Sequence, residues 1–453
     1  MNYTPWDLVL DAGFLSALLI VGILLRARFK MVQAMMLPAS IIAGGLGLAL
    51  GPHALNVIPF SDQFGSYAGI INGVVFASLP FAGSFSFRGK LHGARKMWAY
   101  SVSTYVLQWG LGLLFAIIIL GQFFDLPDGF GLLLAAGFVG GFGTAAAVGS
   151  SMEAAGWADA STLGFTSATI GVLVGVVGGL ALARWGVKKG HAKLATSLAE
   201  IPQDMRTGLV PVVSKREPIG HGTTSEGTVD PLTLHIGIVA VVTAAGYGVG
   251  LGIEALWGVK VPLFATAFLT GMAMRLLLDL TPARKYVDGT TVKSISGTAT
   301  DLLVAVGIAS IVPSIVMSYA LPLALLLAFG VVYCVLIFRF LTPRIFKDGW
   351  LERGLFTWGW ATGAVATGLA LLKVVDPKSK SGTIEEFGIA YVGFSPVEIL
   401  MAIVAPFAII AGLSGQFIVA TIVLGIGLIF VALMGGGRAD AGNRANSFSN
   451  VAP

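Results

Sequence analysis

The sequence predicts an all-α integral membrane protein, and three observations carry this prediction. The chain has 453 residues, of which only 11% are charged, whereas a soluble domain usually carries about a quarter. Uncharged apolar runs such as 14–25, 106–120 and 417–434 approach or reach the roughly 20 residues that span a bilayer. The 61 glycines suit close helix packing and interrupted helices in a membrane.

The order of the apolar segments predicts the path of the chain. Thirteen segments lie at roughly 7–25, 32–51, 67–87, 97–121, 129–152, 163–184, 231–257, 262–278, 297–318, 321–341, 354–373, 393–414 and 417–435. Thirteen simple crossings would scatter the basic residues over both sides. If 129–152 and 354–373 are re-entrant hairpins, 27 of the 28 Lys and Arg residues fall on one side, and the hairpins are assigned partly from this fit. The positive-inside rule makes that side cytoplasmic, with the N-terminus outside and the C-terminus inside.

Two repeats of opposite orientation follow from this path. Residues 1–189 hold five crossings and a hairpin and start outside, and residues 231–414 hold the same set and start inside. Residues 190–230 are polar and rich in Pro and Gly, which is typical of a cytoplasmic linker. We expect one extra transmembrane helix at 415–435 and a disordered cytoplasmic tail at 436–453.

The two hairpins share a Gly- and Thr-containing motif. Gly141–Gly149 reads GFGTAAAVG and Gly359–Gly368 reads GWATGAVATG, and both place Gly and Thr three residues apart. Interrupted segments at matching positions of two inverted repeats indicate a binding site near the membrane midplane. Taken singly, each motif would favour a small-residue packing face, and their matched positions favour the binding site instead.

The chemistry of such breaks suggests the ligands. Half-helix N-termini carry partial positive charge and suit carboxylates, whereas exposed carbonyls and Thr hydroxyls suit Na⁺. We therefore predict substrate contacts from six residues, namely Gly141, Phe142, Gly143, Thr144, Gly363 and Thr367. Ser167, Thr169 and Thr362 are the predicted Na⁺ ligands. Buried Ser and Thr hydroxyls often bond to their own helix carbonyls instead.

Few ionisable or polar residues lie within the apolar segments, and each is a functional candidate. Asp301 is predicted near the cytoplasmic start of its segment and Glu398 about one and a half turns into its own. Asn72 and Ser78 are plausible polar liners. The chain lacks Walker, nucleophile-elbow and dinucleotide motifs, so we expect neither an enzyme nor a cofactor beyond the coupling ion. The placement of the basic residues follows the membrane topology, so we expect no nucleic-acid partner.

At these residues the chain resembles the bacterial sodium/glutamate symporter (ESS) family. Gly140–Ala147 reads GGFGTAAA, similar to that family's Gly-Gly-His-Gly-Thr motif, with Phe142 at the His position. Ser167–Gly171 and Gly363–Thr367 continue the likeness. The resemblance implies a Na⁺-coupled importer of carboxylates or amino acids in the bacterial inner membrane, surrounded by lipid. It also implies a homodimer in which a mobile core of hairpins moves against a scaffold, an elevator-like form of alternating access.

Three hypotheses remain open from the sequence. The leading one is Na⁺-coupled symport of glutamate or a related amino acid or organic anion. The second is a cation/proton antiporter of similar inverted-repeat build, which needs a titrating carboxylate such as Glu398 or Asp301. The third is a non-transporting membrane sensor or a polyprenyl-handling enzyme. It would need a cytoplasmic catalytic cluster, and the acidic and His residues of the linker show no recognisable spacing.

Overall fold

The computed structural model describes residues 3–35, 37–82, 91–192, 203–225, 227–258, 260–376 and 380–434. Within these ranges the secondary structure is helical, without strands. The predicted tail at 436–453 and the linker positions 193–202 lie outside the described residues. The basic loop residues Arg88 and Lys90 do as well.

Nineteen α-helices follow one another along the described chain. They are α1 Pro5–Arg28, α2 Lys30–Met35, α3 Ala39–Leu50, α4 Tyr67–Ala82, α5 Leu91–Ile118, α6 Leu132–Gly137, α7 Gly141–Ala154, α8 Ala160–Lys188, α9 Gln203–Thr207, α10 Pro231–Trp257, α11 Leu263–Asp279, α12 Gly289–Ala309, α13 Pro313–Ser318, α14 Ala320–Leu336, α15 Thr342–Ile345, α16 Trp350–Thr362, α17 Val365–Val375, α18 Thr383–Ile410 and α19 Ser414–Met434. A π-helical turn, Ile337–Leu341, joins α14 to α15.

The long helices make this chain a multi-pass membrane protein. Nine helical stretches of the described residues are long and apolar enough to cross a bilayer. They are formed by α1, α4, α5, α8, α10, α12, α14 with α15, α18 and α19. The segment predicted at 32–51 is instead broken at Pro38 into α2 and α3, because proline lacks the N–H that would continue the helix.

Two helices begin earlier than the sequence predicts, so two carboxylates lie farther from the helix start than expected. Helix α12 starts at Gly289 rather than at 297, and α18 starts at Thr383 rather than at 393. Their first turns are polar, so a hydropathy pattern misses them, although the Asp288 side chain caps the first turn of α12. Asp301 therefore lies about 18 Å and Glu398 about 22 Å beyond the helix start. Both are therefore mid-helix residues, farther from the helix start than the sequence predicts.

The chain forms two compact units that do not follow the two predicted repeats. The first unit contains Met1–Phe85, Phe142–Thr169 and Gln203–Ala320, and the second contains Ser86–Gly141, Ile170–Pro202 and Leu321–Pro453. Each unit thus takes helices from both predicted repeats.

Small residues let the helices of the first unit pack closely. A Cβ atom on Gly44 of α3 would lie 2.6 Å from the Cβ of Ile308 in α12, and one on Gly47 would lie 2.7 Å from the Cβ of Ala309. In the same way, a Cβ on Gly271 of α11 would lie 2.8 Å from a carbonyl of α4. Close backbone approach of this kind is how membrane helices associate without a hydrophobic driving force.

Aromatic packing holds the centre of the second unit. The Phe394 ring of α18 makes edge-to-face contacts with Tyr105 of α5 and Trp360 of α16, each with 5.1 Å between ring centroids. Tyr105, Phe394 and Trp360 are almost completely buried. Edge-to-face pairs add about 0.5–1.5 kcal/mol each beyond their buried area, so this cluster fixes α18 against α5 and α16.

Candidate functional site

Both predicted hairpins contain two helices separated by a short break. Helices α6 and α7 flank residues 138–140, and α16 and α17 flank Gly363 and Ala364. Gly141 opens α7 with a φ of +64°, a conformation that glycine adopts without steric cost. In the second hairpin, a Cβ on Gly359 would lie 2.7 Å from the backbone nitrogen of Gly368. The missing side chains therefore let its two arms touch.

Within the second unit the two breaks lie side by side. A Cβ on Gly141 would lie 3.0 Å from the carbonyl oxygen of Gly363. The fully buried Gln108 of α5 joins them, since its Nε2 donates to the Ala361 carbonyl at 3.1 Å and its Oε1 accepts from the Val139 N–H at 3.2 Å. One amide therefore satisfies backbone groups of both breaks.

Gln108 is absent from the residues that the sequence predicts for the site. The available signal is an amide side chain inside the apolar run 106–120, because such side chains hydrogen-bond across membrane helices. Its partners stand 31 and 253 residues away along the chain, and a single sequence does not identify them.

A glycine face of α8 packs on the second hairpin. A Cβ on Gly175 would lie 2.8 Å from the Thr362 hydroxyl, and one on Gly178 would lie 2.6 Å from the Trp358 ring. The Trp358 indole N–H donates to the Gly175 carbonyl at 3.0 Å. The GG-rich α8 sequence thus provides a flat surface for the arm that carries Thr362.

Of the predicted Na⁺ ligands, Thr362 is buried and Thr169 is partly buried, and both donate their hydroxyl protons within their own helices. Thr362 donates to the Trp358 carbonyl and Thr169 to the Phe165 carbonyl, both at 2.7 Å and both four residues back in the same helix. The two threonine bonds are the intrahelical kind that is typical of Thr in helices, and they leave the hydroxyl oxygens with lone pairs that can still coordinate a cation. The third predicted ligand, Ser167, is fully buried.

The predicted substrate residues of the second hairpin flank its break. Gly363 ends α16, and Thr367 lies in the first turn of α17 with 6% of its surface exposed. The Thr367 methyl group lies 3.3 Å from the position of a Cβ on Gly175, so this face of Thr367 packs against α8.

In the first unit, Gly143 of α7 lies beside an unpaired polar group of α4. Asn72 is 1% exposed, and its Oδ1 accepts no hydrogen bond among the described residues. That oxygen lies 3.8 Å from the position of a Cβ on Gly143. Leaving a buried acceptor unpaired costs about 1–3 kcal/mol, so this oxygen is suited to receive a ligand N–H or a cation. Phe142 stacks on Phe165 with 6.4 Å between centroids, and Thr144 is buried.

Ser78, the other predicted polar liner, bonds within its own helix. Its hydroxyl donates to the Val75 carbonyl at 2.7 Å, which is the intrahelical pattern again. Of the two predicted polar liners of α4, Asn72 is therefore the one whose side-chain oxygen can still accept a hydrogen bond near α7.

Asp301 of the first unit and Glu398 of the second are mid-helix carboxylates. In the first unit, Asp301 accepts a hydrogen bond from the Ser40 hydroxyl at 3.1 Å. In the second unit, Glu398 accepts one from the Tyr391 hydroxyl at 3.0 Å. Ionisable residues inside a membrane are costly and usually functional, so both are candidates for ion handling.

Comparison with known proteins identifies the family. The profile of the sodium/glutamate symporter family matches residues 11–375, from within α1 to the end of α17, and so covers both breaks, Gln108 and Asn72. No curated protein sequence matches the chain significantly. The resemblance seen in the hairpin motifs is confirmed. This chain belongs to the sodium/glutamate symporter family and is a membrane transporter.

Proposed function

We propose that this chain is a Na⁺-coupled symporter that imports glutamate or a related amino acid or organic anion. The observation that carries the proposal is the family match over residues 11–375. The two paired breaks, which the match includes, support a binding site built from backbone groups.

The substrate carboxylate binds at the start of α7 in this proposal. The first N–H groups of a helix have no partner inside it and carry partial positive charge. Gly141 and Gly143 leave these groups uncovered, while Phe142 and Thr144 add a ring and a hydroxyl. The Asn72 Oδ1, unpaired among the described residues, accepts from the substrate ammonium group.

The second hairpin supplies a matching set of groups. Gly363 and Thr367 lie at the end of α16 and the start of α17, where a second helix N-terminus begins. The proposed Na⁺ ligands are the hydroxyl oxygens of Ser167 and Thr169 in the first unit and, in the second unit, the Thr362 hydroxyl with carbonyls freed at the breaks. Unwound carbonyls coordinate Na⁺ in other transporters with interrupted helices.

Inverted repeats, re-entrant hairpins and elevator-like movement complete the proposal. The packing of the first unit supports the repeats: α3 packs on α12 and α4 packs on α11. Helices α3 and α4 belong to the second and third segments of the first predicted repeat, and α11 and α12 to the second and third segments of the second repeat. The second segment of each repeat therefore packs on the third segment of the other, as expected for two repeats related by a two-fold axis. We place the protein in the bacterial inner membrane as a homodimer, with the N-terminus outside and the C-terminus in the cytoplasm.

Uptake by the purified full chain in liposomes tests this function. We expect radiolabelled L-glutamate to accumulate under an inward Na⁺ gradient and not under a K⁺ gradient. L-Glutamate should also raise the melting temperature only in Na⁺, because ligands that bind the folded state stabilise it. No uptake of, and no stabilisation by, any amino acid or dicarboxylate in Na⁺ would refute the proposed function.

Valine substitutions test the proposed residues. Thr144→Val and Thr367→Val should abolish uptake and leave membrane insertion intact, because each removes a hydroxyl and keeps the side-chain shape. Thr243→Val is the matched control, since the Thr243 hydroxyl in α10 bonds to the Val239 carbonyl of its own helix. Uptake equal to that of the control would remove both residues from the site.

A further inference from the structure

Glu398 lies in the middle of a long apolar helix and outside the part of the chain that the family profile matches. It is in α18, Thr383–Ile410, a helix of 28 residues that is long and apolar enough to cross a bilayer, whereas the match ends at 375. At 1.5 Å per residue the helix is about 42 Å long, which exceeds the roughly 30 Å hydrocarbon core. Glu398 lies about 22 Å from the helix start, close to the middle of the helix.

The groups around Glu398 are aromatic. The Tyr391 hydroxyl donates to its carboxylate at 3.0 Å, and the Tyr105 hydroxyl of α5 donates to its main-chain carbonyl at 3.2 Å. Phe394, one turn before Glu398, packs edge-on against Tyr105. Tyr391 and Tyr105 are therefore the titratable groups beside Glu398 among the described residues.

Basic side chains lie away from Glu398 on the helices that pack against α18. Those helices are α5, α6, α16 and α19, and the sequences of α6 and α19 contain no charged residue. On α5, Arg95 and Lys96 precede Tyr105 by about 15 Å and about 14 Å. On α16, Arg353 pairs with Glu386 at 2.6 Å, and Glu386 precedes Glu398 by about 18 Å along α18. In the described part of the chain, no ion pair joins Glu398 to a cation.

A carboxylate in such surroundings needs a neutralising partner. An isolated charge at low dielectric is strongly disfavoured unless a proton or cation compensates it. A hard metal cation takes several oxygen ligands, whereas among the described residues one side-chain oxygen, that of Tyr391, bonds to this carboxylate. A proton, by contrast, binds to one carboxylate oxygen and needs no further ligand.

We propose that Glu398 is a proton-binding site and that H⁺ moves through it as a second coupling ion of the transport cycle. A proton from water on one side of the membrane bonds to a carboxylate oxygen of Glu398 and returns to water on the other side. Tyr391 orients the carboxylate in either state. This inference rests on the proposed symport for its role in transport, but proton binding at Glu398 can be tested without it.

Infrared difference spectroscopy of the purified full chain tests proton binding directly. We expect the carbonyl-stretch band of a protonated carboxyl to change with pH in wild type, and we expect this component of the change to be absent from Glu398→Gln. Glu385→Gln is the matched control, because Glu385 is an exposed carboxylate in the first turn of the same helix. Identical pH-difference spectra for all three proteins would overturn the inference.

Transport in liposomes that contain a pH-sensitive dye tests the coupling. In wild type and Glu385→Gln, uptake of L-glutamate in Na⁺ should acidify the lumen and vary with external pH by up to about tenfold per pH unit, the limit for one proton. Glu398→Gln should take up L-glutamate without acidification and without this pH dependence. Tyr391→Phe, which keeps the ring, should shift the pH profile without removing it.

The outcomes separate the inference from the proposed function. If wild type moves L-glutamate at no pH, the proposed function fails, and the infrared test still decides whether Glu398 binds a proton. If wild type and Glu398→Gln move L-glutamate with the same pH profile and the same lumen pH, the inference fails and the proposed symport stands.

Discussion

Replacing Gln108 by leucine should loosen both breaks at once. The substitution keeps the side-chain volume and removes the donor to Ala361 and the acceptor for Val139. Hydrogen bonds between membrane helices average about 0.6 kcal/mol and reach about 1.7 kcal/mol, so two lost bonds should cost about 1–3 kcal/mol. If the site depends on both breaks, the same free energy appears as a loss of about 5- to 150-fold in ligand affinity.

Thermal unfolding of the purified protein and its stabilisation by L-glutamate in Na⁺ measure the two effects. Gln122→Leu is the matched control, because Gln122 follows the same helix, is exposed, and donates only to the nearby Ile118 carbonyl. A positioning role predicts that Gln108→Asn, which retains both polar groups, recovers part of the affinity. The reasoning is refuted if Gln108→Leu unfolds at the same temperature and binds L-glutamate as tightly as Gln122→Leu.

Three further predictions concern separate parts of the chain. Asn72→Leu should raise the KM for L-glutamate more than tenfold, because a hydrogen bond to a charged group contributes about 1.5–3 kcal/mol. Gly175→Ala should lower the free energy of unfolding by about 1–3 kcal/mol, since its methyl group would lie 2.8 Å from the Thr362 hydroxyl. Asp288→Ala should cost about 0.5–2 kcal/mol at neutral pH by removing a helix cap. Partial burial raises the pKa of Asp288, but hydrogen bonds from Thr291 outweigh it and hold that pKa below its usual value. The difference from wild type should therefore be present above about pH 4 and shrink as the pH falls below it.

Each of these has its own control. Ser78→Ala, on the same helix as Asn72, should leave the KM unchanged, and an equal rise in both variants would rule out a specific role for Asn72. Gly237→Ala should be tolerated, because a Cβ there meets nothing within 4 Å; equal destabilisation would contradict the packing argument. For Asp288, a stability difference that stays constant from about pH 7 to about pH 3 would show that its charge contributes nothing.

The sequence predicts the membrane helices and the family well because both depend on local patterns. Apolar runs of bilayer length indicate the crossings, and the GGFGTAAA run together with Ser167–Gly171 and Gly363–Thr367 carries the resemblance to the symporter family. Element boundaries are harder where a membrane helix extends into water. The first turns of α12 and α18 are polar, so the hydropathy pattern starts both helices too late and places Asp301 and Glu398 too near the helix start.

The missing parts of the site depend on contacts between distant residues. Gln108 bonds Val139 and Ala361, which stand 31 and 253 residues away along the chain. Contacts over such separations produce no periodic pattern in the sequence. Asn72 is notable only because its Oδ1 is buried without a partner among the described residues, which is a property of the folded chain. The sequence predicts Thr362 and Thr169 as Na⁺ ligands and leaves open whether they bond within their helices, and the structure shows that both do.

The surroundings of the two mid-helix carboxylates predict that they behave differently. Asp301 lies beside Ser40 in the first turn of α3, where the partial positive charge of a helix N-terminus stabilises an anion. Its side chain is also exposed. Among the described residues, the Glu398 carboxylate accepts from one side chain, the Tyr391 hydroxyl. Asp301→Asn should therefore leave the pH dependence of L-glutamate uptake unchanged, in contrast to Glu398→Gln, when both variants are measured in the same liposomes. If Asp301→Asn abolished the pH dependence and Glu398→Gln did not, the proton would belong to the first unit, and the reasoning from local surroundings would be wrong.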